Sequence, residues 1–136
     1  DQYTNDMLES IKVALCSQRS NACLPNVGWC EVTDMLFKNN AKIGAKYFPD
    51  KLGALEAGAA ADVIVMDYKP YTPFSDANID GHMLFGMTGR QCQTTIANGK
   101  ILMKDRELIG IDEEAVNARC LEQAKGLWGE LNHCQY

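Results

Sequence analysis

Leu52-Gly-Ala-Leu-Glu-Ala-Gly-Ala-Ala-Ala-Asp-Val-Ile-Val-Met-Asp67 is where the chain changes character. Gly53 and Gly58 bracket a turn-rich stretch, and Asp62 and Asp67 enclose the compact apolar run Val63-Ile-Val-Met66. Such a run between turn signals suits a buried strand. Downstream, Thr94-Thr-Ile-Ala97 and Lys100-Ile-Leu-Met103 flank Asn98-Gly99. Asn-Gly takes the positive φ angles of a type I′ turn at low cost, so the flanks are expected to pair as a β-hairpin. Between strand and hairpin, Pro70, Pro73 and Ser75 make a loop, and a short helix or turn is expected around residues 78–84.

Helices are expected on both sides of this β unit. Residues 5–17 read as an amphipathic helix: Asp6 and Glu9 form a capping-box pattern, and Leu8, Ile11 and Leu15 share one face. Residues 17–28 are polar, with Pro25 and Gly28, and read as a loop. A second helix is expected over 29–38 with an apolar stripe of Val32, Met35 and Leu36. It ends at Asn39-Asn40, and a shorter helix over 41–47 stops before Pro49. At the other end Asp112 caps a last helix. Glu113 and Glu114 favour its positive pole, Ile111 and Val116 fit a hydrophobic staple, and Val116, Cys120, Ala124, Leu127 and Leu131 form its stripe.

At 136 residues, 46% hydrophobic and 23% charged, the chain has the size and composition of a globular domain with a core of fair size. A net charge of -5 and scattered lysines and arginines offer no basic face to neutralise phosphates, so a nucleic-acid binder is not expected. No apolar stretch reaches the length of a membrane span. The chain opens at Asp1 and passes directly into a helix signal, as an engineered or processed chain would, or a sequence cut within a fold.

The six cysteines are Cys16, Cys23, Cys30, Cys92, Cys120 and Cys134. An even count invites a disulfide framework in a short secreted chain. No secretion signal precedes them, so free thiols and a cytoplasmic protein are the expectation. The chain has no C-x-x-C pair, and His82 and His133 stand outside zinc-finger spacing.

The run from Leu52 to Asp67 resembles the G-x-L-x-x-G-x-x-A-D segment of the amidohydrolase superfamily, and Asn98-Gly-Lys-Ile-Leu102 resembles that superfamily's closing hairpin. Asp1-Gln-Tyr-Thr-Asn-Asp-Met-Leu-Glu-Ser10 is similar to the stretch after the last barrel strand in its deaminase and chlorohydrolase branch, although Gln2 replaces the usual glycine. Residues 68–73, 82–87 and 89–94 look closest to the aminohydrolases associated with selenium metabolism. The likeness covers nearly all of residues 1–110.

The resemblance implies an α/β fold, in the form of the C-terminal piece of a (β/α)8 barrel. Residues 1–50 would be the tip of its last strand and its last helices, 51–104 half of a small composite β-sandwich, and 105–136 a C-terminal helix. A barrel needs roughly 200 residues or more, so this chain cannot contain one. It also implies a metal-dependent aminohydrolase that removes ammonia, or a similar leaving group, from a nitrogen heterocycle by attack of metal-activated water. The metal would be zinc or iron, with histidine ligands upstream. Asp1 would be the last-strand carboxylate, a metal ligand that accepts the proton of the attacking water. The partners would be the remainder of the barrel and a small-molecule substrate. A homo-oligomeric parent is left open, and this chain alone is expected to be inactive.

Other residues have plainer readings. His82 in the β unit and His133 near the end are read as structural rather than as ligands. Asp62 is expected to bond turn amides beside Gly58. Glu31 and Asp34 belong to a solvated helix face, Trp29 and Trp128 to packing, and Tyr71 and Phe74 to a pinned loop. Two rivals stand: a cyclic-amide hydrolase of the dihydropyrimidinase kind, marked by a carbamylated lysine upstream, and a truncated, non-catalytic interaction module. An H-x-H pair upstream would separate an enzyme from the second.

Overall fold

A computed structural model describes residues 3–133. Helix α1 spans Met7–Ala22. Asp6 caps it, accepting from the Leu8 and Glu9 amides, and Leu8, Ile11 and Leu15 are its buried face. It runs five residues beyond the expected end, because the polar residues after Ser17 continue on the solvent side of the same helix. The stop comes at Cys23, which takes the left-handed conformation at φ 54° before Pro25.

The expected break at Asn39-Asn40 does not occur. Helix α2 (Glu31–Asp34), a π-helical turn (Met35–Asn39) and α3 (Asn40–Gly44) follow without interruption. Of the expected stripe, Val32 and Leu36 face the core, and the wider turn leaves Met35 off it. Val32 is buried, whereas Met35 and Phe37 are exposed.

The β unit is a four-stranded antiparallel meander in the order β1-β2-β3-β4. Its strands are β1 (Val63–Met66), β2 (Cys92–Ala97), β3 (Lys100–Lys104) and β4 (Glu107–Leu108). The hairpin forms as expected, with Ala97 opposite Lys100 and with Asn98 and Gly99 at φ 47° and 76°. Asp62 does not serve the turn at Gly58. Its Oδ1 accepts the Asn98 amide at 2.7 Å, and the Gly99 amide donates to the Ala61 carbonyl, so the strand entry holds the distant hairpin turn. β1 is less buried than its composition suggests. It pairs only with β2, and Ile64 and Val65 are exposed.

Helix α4 (Ile79–Phe85) bridges β1 and β2 and sends Leu84 into the core. That core is small: Leu8, Ile11, Leu15, Val32 and Leu84, with Ala14, Leu36, Met66 and Met87 packed against it. The last helix, α5 (Glu113–Leu131), starts where expected, with the Asp112 carboxylate accepting from the Ala115 amide at 3.0 Å. Its stripe, however, lies open. None of its residues is buried.

Candidate functional site

A concavity of about 840 Å³ opens where residues 4–9 meet β1, the short turn Gly89–Gln91 and the start of β2. Ile64, Met66 and Cys92 give it an apolar floor, and Thr4, Asn5, Asp6, Thr88 and Arg90 a polar rim. The rim is fixed by hydrogen bonds. Thr4 Oγ1 accepts the Asp6 amide at 3.0 Å, and Asp6 Oδ2 accepts the Gly89 amide at 2.7 Å. Lys12 Nζ donates to the Met87 carbonyl at 2.6 Å and is paired with Glu9 at 3.1 Å.

These pairings limit what the cleft can do chemically. Both Asp6 oxygens accept backbone amides, and Glu9 is held by Lys12, so neither is a free proton acceptor. The capping box read at Asp6 and Glu9 is half formed, because Glu9 turns to Lys12. Sequence reasoning missed the Asp6–Gly89 link. The one signal for it was a glycine at 89, where a β-carbon would lie 2.8 Å from the Asp6 carboxyl carbon.

Asp1, the candidate catalytic carboxylate and metal ligand, lies outside the described residues, as does Cys134. His82 is buried, and both its ring nitrogens are engaged. Nδ1 pairs with the Tyr68 hydroxyl at 2.6 Å, and Nε2 lies 3.3 Å from the Pro73 carbonyl and 3.4 Å from Thr72 Oγ1. Tyr68 and Phe74 pack edge-on to its ring. Gly86 leaves room for the tyrosine ring, since a β-carbon there would strike the Tyr68 hydroxyl. His82 therefore pins the 68–74 loop as a structural residue. His133 is exposed in the last turn.

Among the described residues no three histidine, cysteine, aspartate or glutamate side chains converge as a metal site. The described residues do not by themselves fit a catalytic metal. The five described cysteines are free. Cys30, although exposed, has its thiol held above the ordinary range by local desolvation, then by the Asp80 carboxylate beside it. That disfavours the thiolate a nucleophile needs. Trp29 stacks against Phe85 with Arg19 over its face, as a packing anchor. Trp128 is exposed, and Tyr71 projects freely from a loop that Phe74 and His82 hold. Asp34 pairs with Lys38 at 2.6 Å, and this bond raises the lysine's pKa. No helix of the described residues is long and apolar enough to cross a membrane.

No family model matches the chain. It is similar to a 5'-deoxyadenosine deaminase of Methanosarcina mazei, 32% identical over 130 residues, a match that covers 93% of this chain and 29% of the relative. A 5'-deoxyadenosine deaminase of Methanopyrus kandleri is 27% identical over 121 residues, 87% of this chain and 28% of the relative. A 5-methylthioadenosine/S-adenosylhomocysteine deaminase of Thermococcus onnurineus is 33% identical over 105 residues, 76% of this chain and 24% of the relative. The relatives are thus deaminases of adenosine derivatives, and the chain spans less than a third of their length.

Proposed function

We propose that the chain is the C-terminal part of a hydrolytic deaminase that replaces the 6-amino group of an adenine nucleoside by oxygen from water. The observation that carries this reading is the match to the Methanosarcina deaminase over 93% of the chain. Two features of the molecule support the part played by this segment. Its core is small beside the apolar side chains it leaves exposed, which is the condition of a surface meant to be covered. Its cleft also lacks a free acid–base group among the described residues.

In this reading the described residues position rather than react. Asp6, Gly89 and Lys12 hold the start of α1 against the β unit, which fixes the course of residues 3–6. Asp1 is the proposed proton acceptor. The zinc or iron implied by the resemblance would be held by groups beyond residues 3–133. Residues 68–73, 82–87 and 89–94 carry the finer likeness to the selenium-associated aminohydrolases.

The test is direct. The full-length protein carrying this chain, supplied with zinc or ferrous iron, is incubated with 5'-deoxyadenosine, 5'-methylthioadenosine and S-adenosylhomocysteine. Ammonia release is followed together with the absorbance change from 6-amino to 6-oxo purine. Turnover of one of them supports the proposal. A folded, metal-loaded protein that releases ammonia from none of the three overturns it.

A further inference from the structure

Asn98 is the only asparagine of the chain that is followed by glycine, and that pair has a chemistry of its own. The glycine nitrogen, with no β-carbon beside it, can attack the asparagine Cγ. The N–Cγ bond forms, the Cγ–Nδ2 bond breaks, and Nδ2 leaves as ammonia with the proton of the glycine amide. Water then opens the five-membered imide at either carbonyl, leaving aspartate or isoaspartate. One water is consumed and one ammonia released, and no other reactant is needed.

Hydrogen bonds are what restrain this step here. Asn98 is exposed, and a β-carbon built on Gly99 would meet no atom within 4 Å, so no neighbouring group crowds the pair. The nucleophile, however, is engaged: the Gly99 amide donates to the Ala61 carbonyl at 3.0 Å. The Asn98 amide donates to Asp62 Oδ1 at 2.7 Å. Both acceptors lie at the entry to β1, which is tied down in turn. The Asp62 amide donates to the Ala60 carbonyl at 2.9 Å, and the Ala60 amide to the Lys51 carbonyl at 2.8 Å. Ring closure requires the Gly99 nitrogen to swing into line with the Asn98 β-carbon. In a type I′ turn ψ of the first central residue is about +30°, which turns the next nitrogen away from Cβ. The swing therefore has to break the Gly99–Ala61 bond and the pairing of Ala97 with Lys100.

We propose that Asn98-Gly99 is a deamidation site held shut by Ala61 and Asp62. Isoaspartate would add a carbon to the main chain of the turn, so a hairpin modified in this way could not regain its register. In the full-length protein near neutral pH, Asn98 should deamidate at least about tenfold more slowly than in the same protein unfolded in guanidinium, as expected when two hydrogen bonds must open first. Mass spectrometry of a peptide holding residues 94–103 reads the conversion, and isoaspartate is recognised by its separate elution. Asp62→Ala removes one acceptor and should speed the folded-state reaction about fivefold. Asp62→Asn keeps an accepting oxygen and should stay within about twofold of the parent. Equal rates in folded and unfolded parent protein overturn the proposal, whether or not the variants fold. An Asp62→Ala protein with unchanged circular dichroism that deamidates no faster than the parent overturns it as well. So does a folded Asp62→Asn protein as fast as Asp62→Ala, because the accepting oxygen is then not what holds the turn.

Discussion

Asp6 and Gly89 stand 83 residues apart in the chain and are joined by one hydrogen bond of 2.7 Å, from the Gly89 amide to Asp6 Oδ2. The other carboxylate oxygen accepts the Leu8 amide at 2.9 Å. A single side chain thus begins helix α1 and fastens it to the turn that leads into β2.

This double duty predicts a coupled cost. Asp6→Ala loses the cap and the long-range bond together and should destabilise the chain by about 2 kcal/mol in a denaturant titration. Gly89→Ala should also destabilise it, since the added methyl would meet the Asp6 carboxyl carbon at 2.8 Å. In the double variant the clash has lost its partner, so the cost should be smaller than the sum. Additive losses would show that the two residues act independently.

Cys30 should titrate above its ordinary value of 9.0, for which local desolvation is the largest cause and Asp80 the next. The midpoint of its alkylation rate against pH should be higher in the folded chain than in the unfolded one. Asp80→Asn should lower it part of the way, leaving the desolvation in place. The folded state holds this proton more tightly, so its contribution to stability falls as pH rises from 9.0 through the raised value. A midpoint that Asp80→Asn leaves unmoved would remove the carboxylate as a cause.

Local rules make much of the fold legible. Asn98-Gly99 needs two positive φ angles, and this fixes the hairpin; Asp6 and Asp112 mark their helix starts because a carboxylate satisfies free amides there. The errors arise where tertiary structure overrides such rules. Asn39 and Asn40 look like a stop, yet a π turn carries the helix through them. Asp62 has no local signature for its choice of the Asn98 amide over the turn at Gly58, because that bond exists only once β1 and β2 pair. The α5 stripe is apolar as its spacing indicates, but its exposure within this chain cannot be seen in periodicity. Of the site, only Asp1 stands out for catalysis, on resemblance, and it lies outside the described residues.

His82 should matter to stability and not to metal. Replacing it by alanine leaves a void and strips the Tyr68 hydroxyl of its partner, at a cost of about 3 kcal/mol. The stoichiometry of zinc or iron in the full-length protein should not change, since both ring nitrogens already serve Tyr68 and the Thr72–Pro73 loop. Loss of the metal in a folded His82→Ala variant would make His82 a ligand and refute the structural assignment.

The most demanding prediction concerns Asp1. In the full-length protein, Asp1→Asn should leave the fold and most of the bound metal in place while nearly abolishing deamination. An amide nitrogen cannot take up the proton that the attacking water must lose, and the amide oxygen is too weak a base to do so near neutral pH. Loss of a general base is typically worth roughly two to four orders of magnitude in rate. The effect should fall on kcat with little change in KM, since the step affected comes after substrate binding. Metal analysis and circular dichroism of the same preparation separate this outcome from loss of cofactor or of fold. A fall of under about tenfold would make Asp1 merely the residue that leads into α1. The proton acceptor would then have to be sought elsewhere, while the likeness carried by the Leu52–Asp67 and Asn98–Leu102 segments would be untouched.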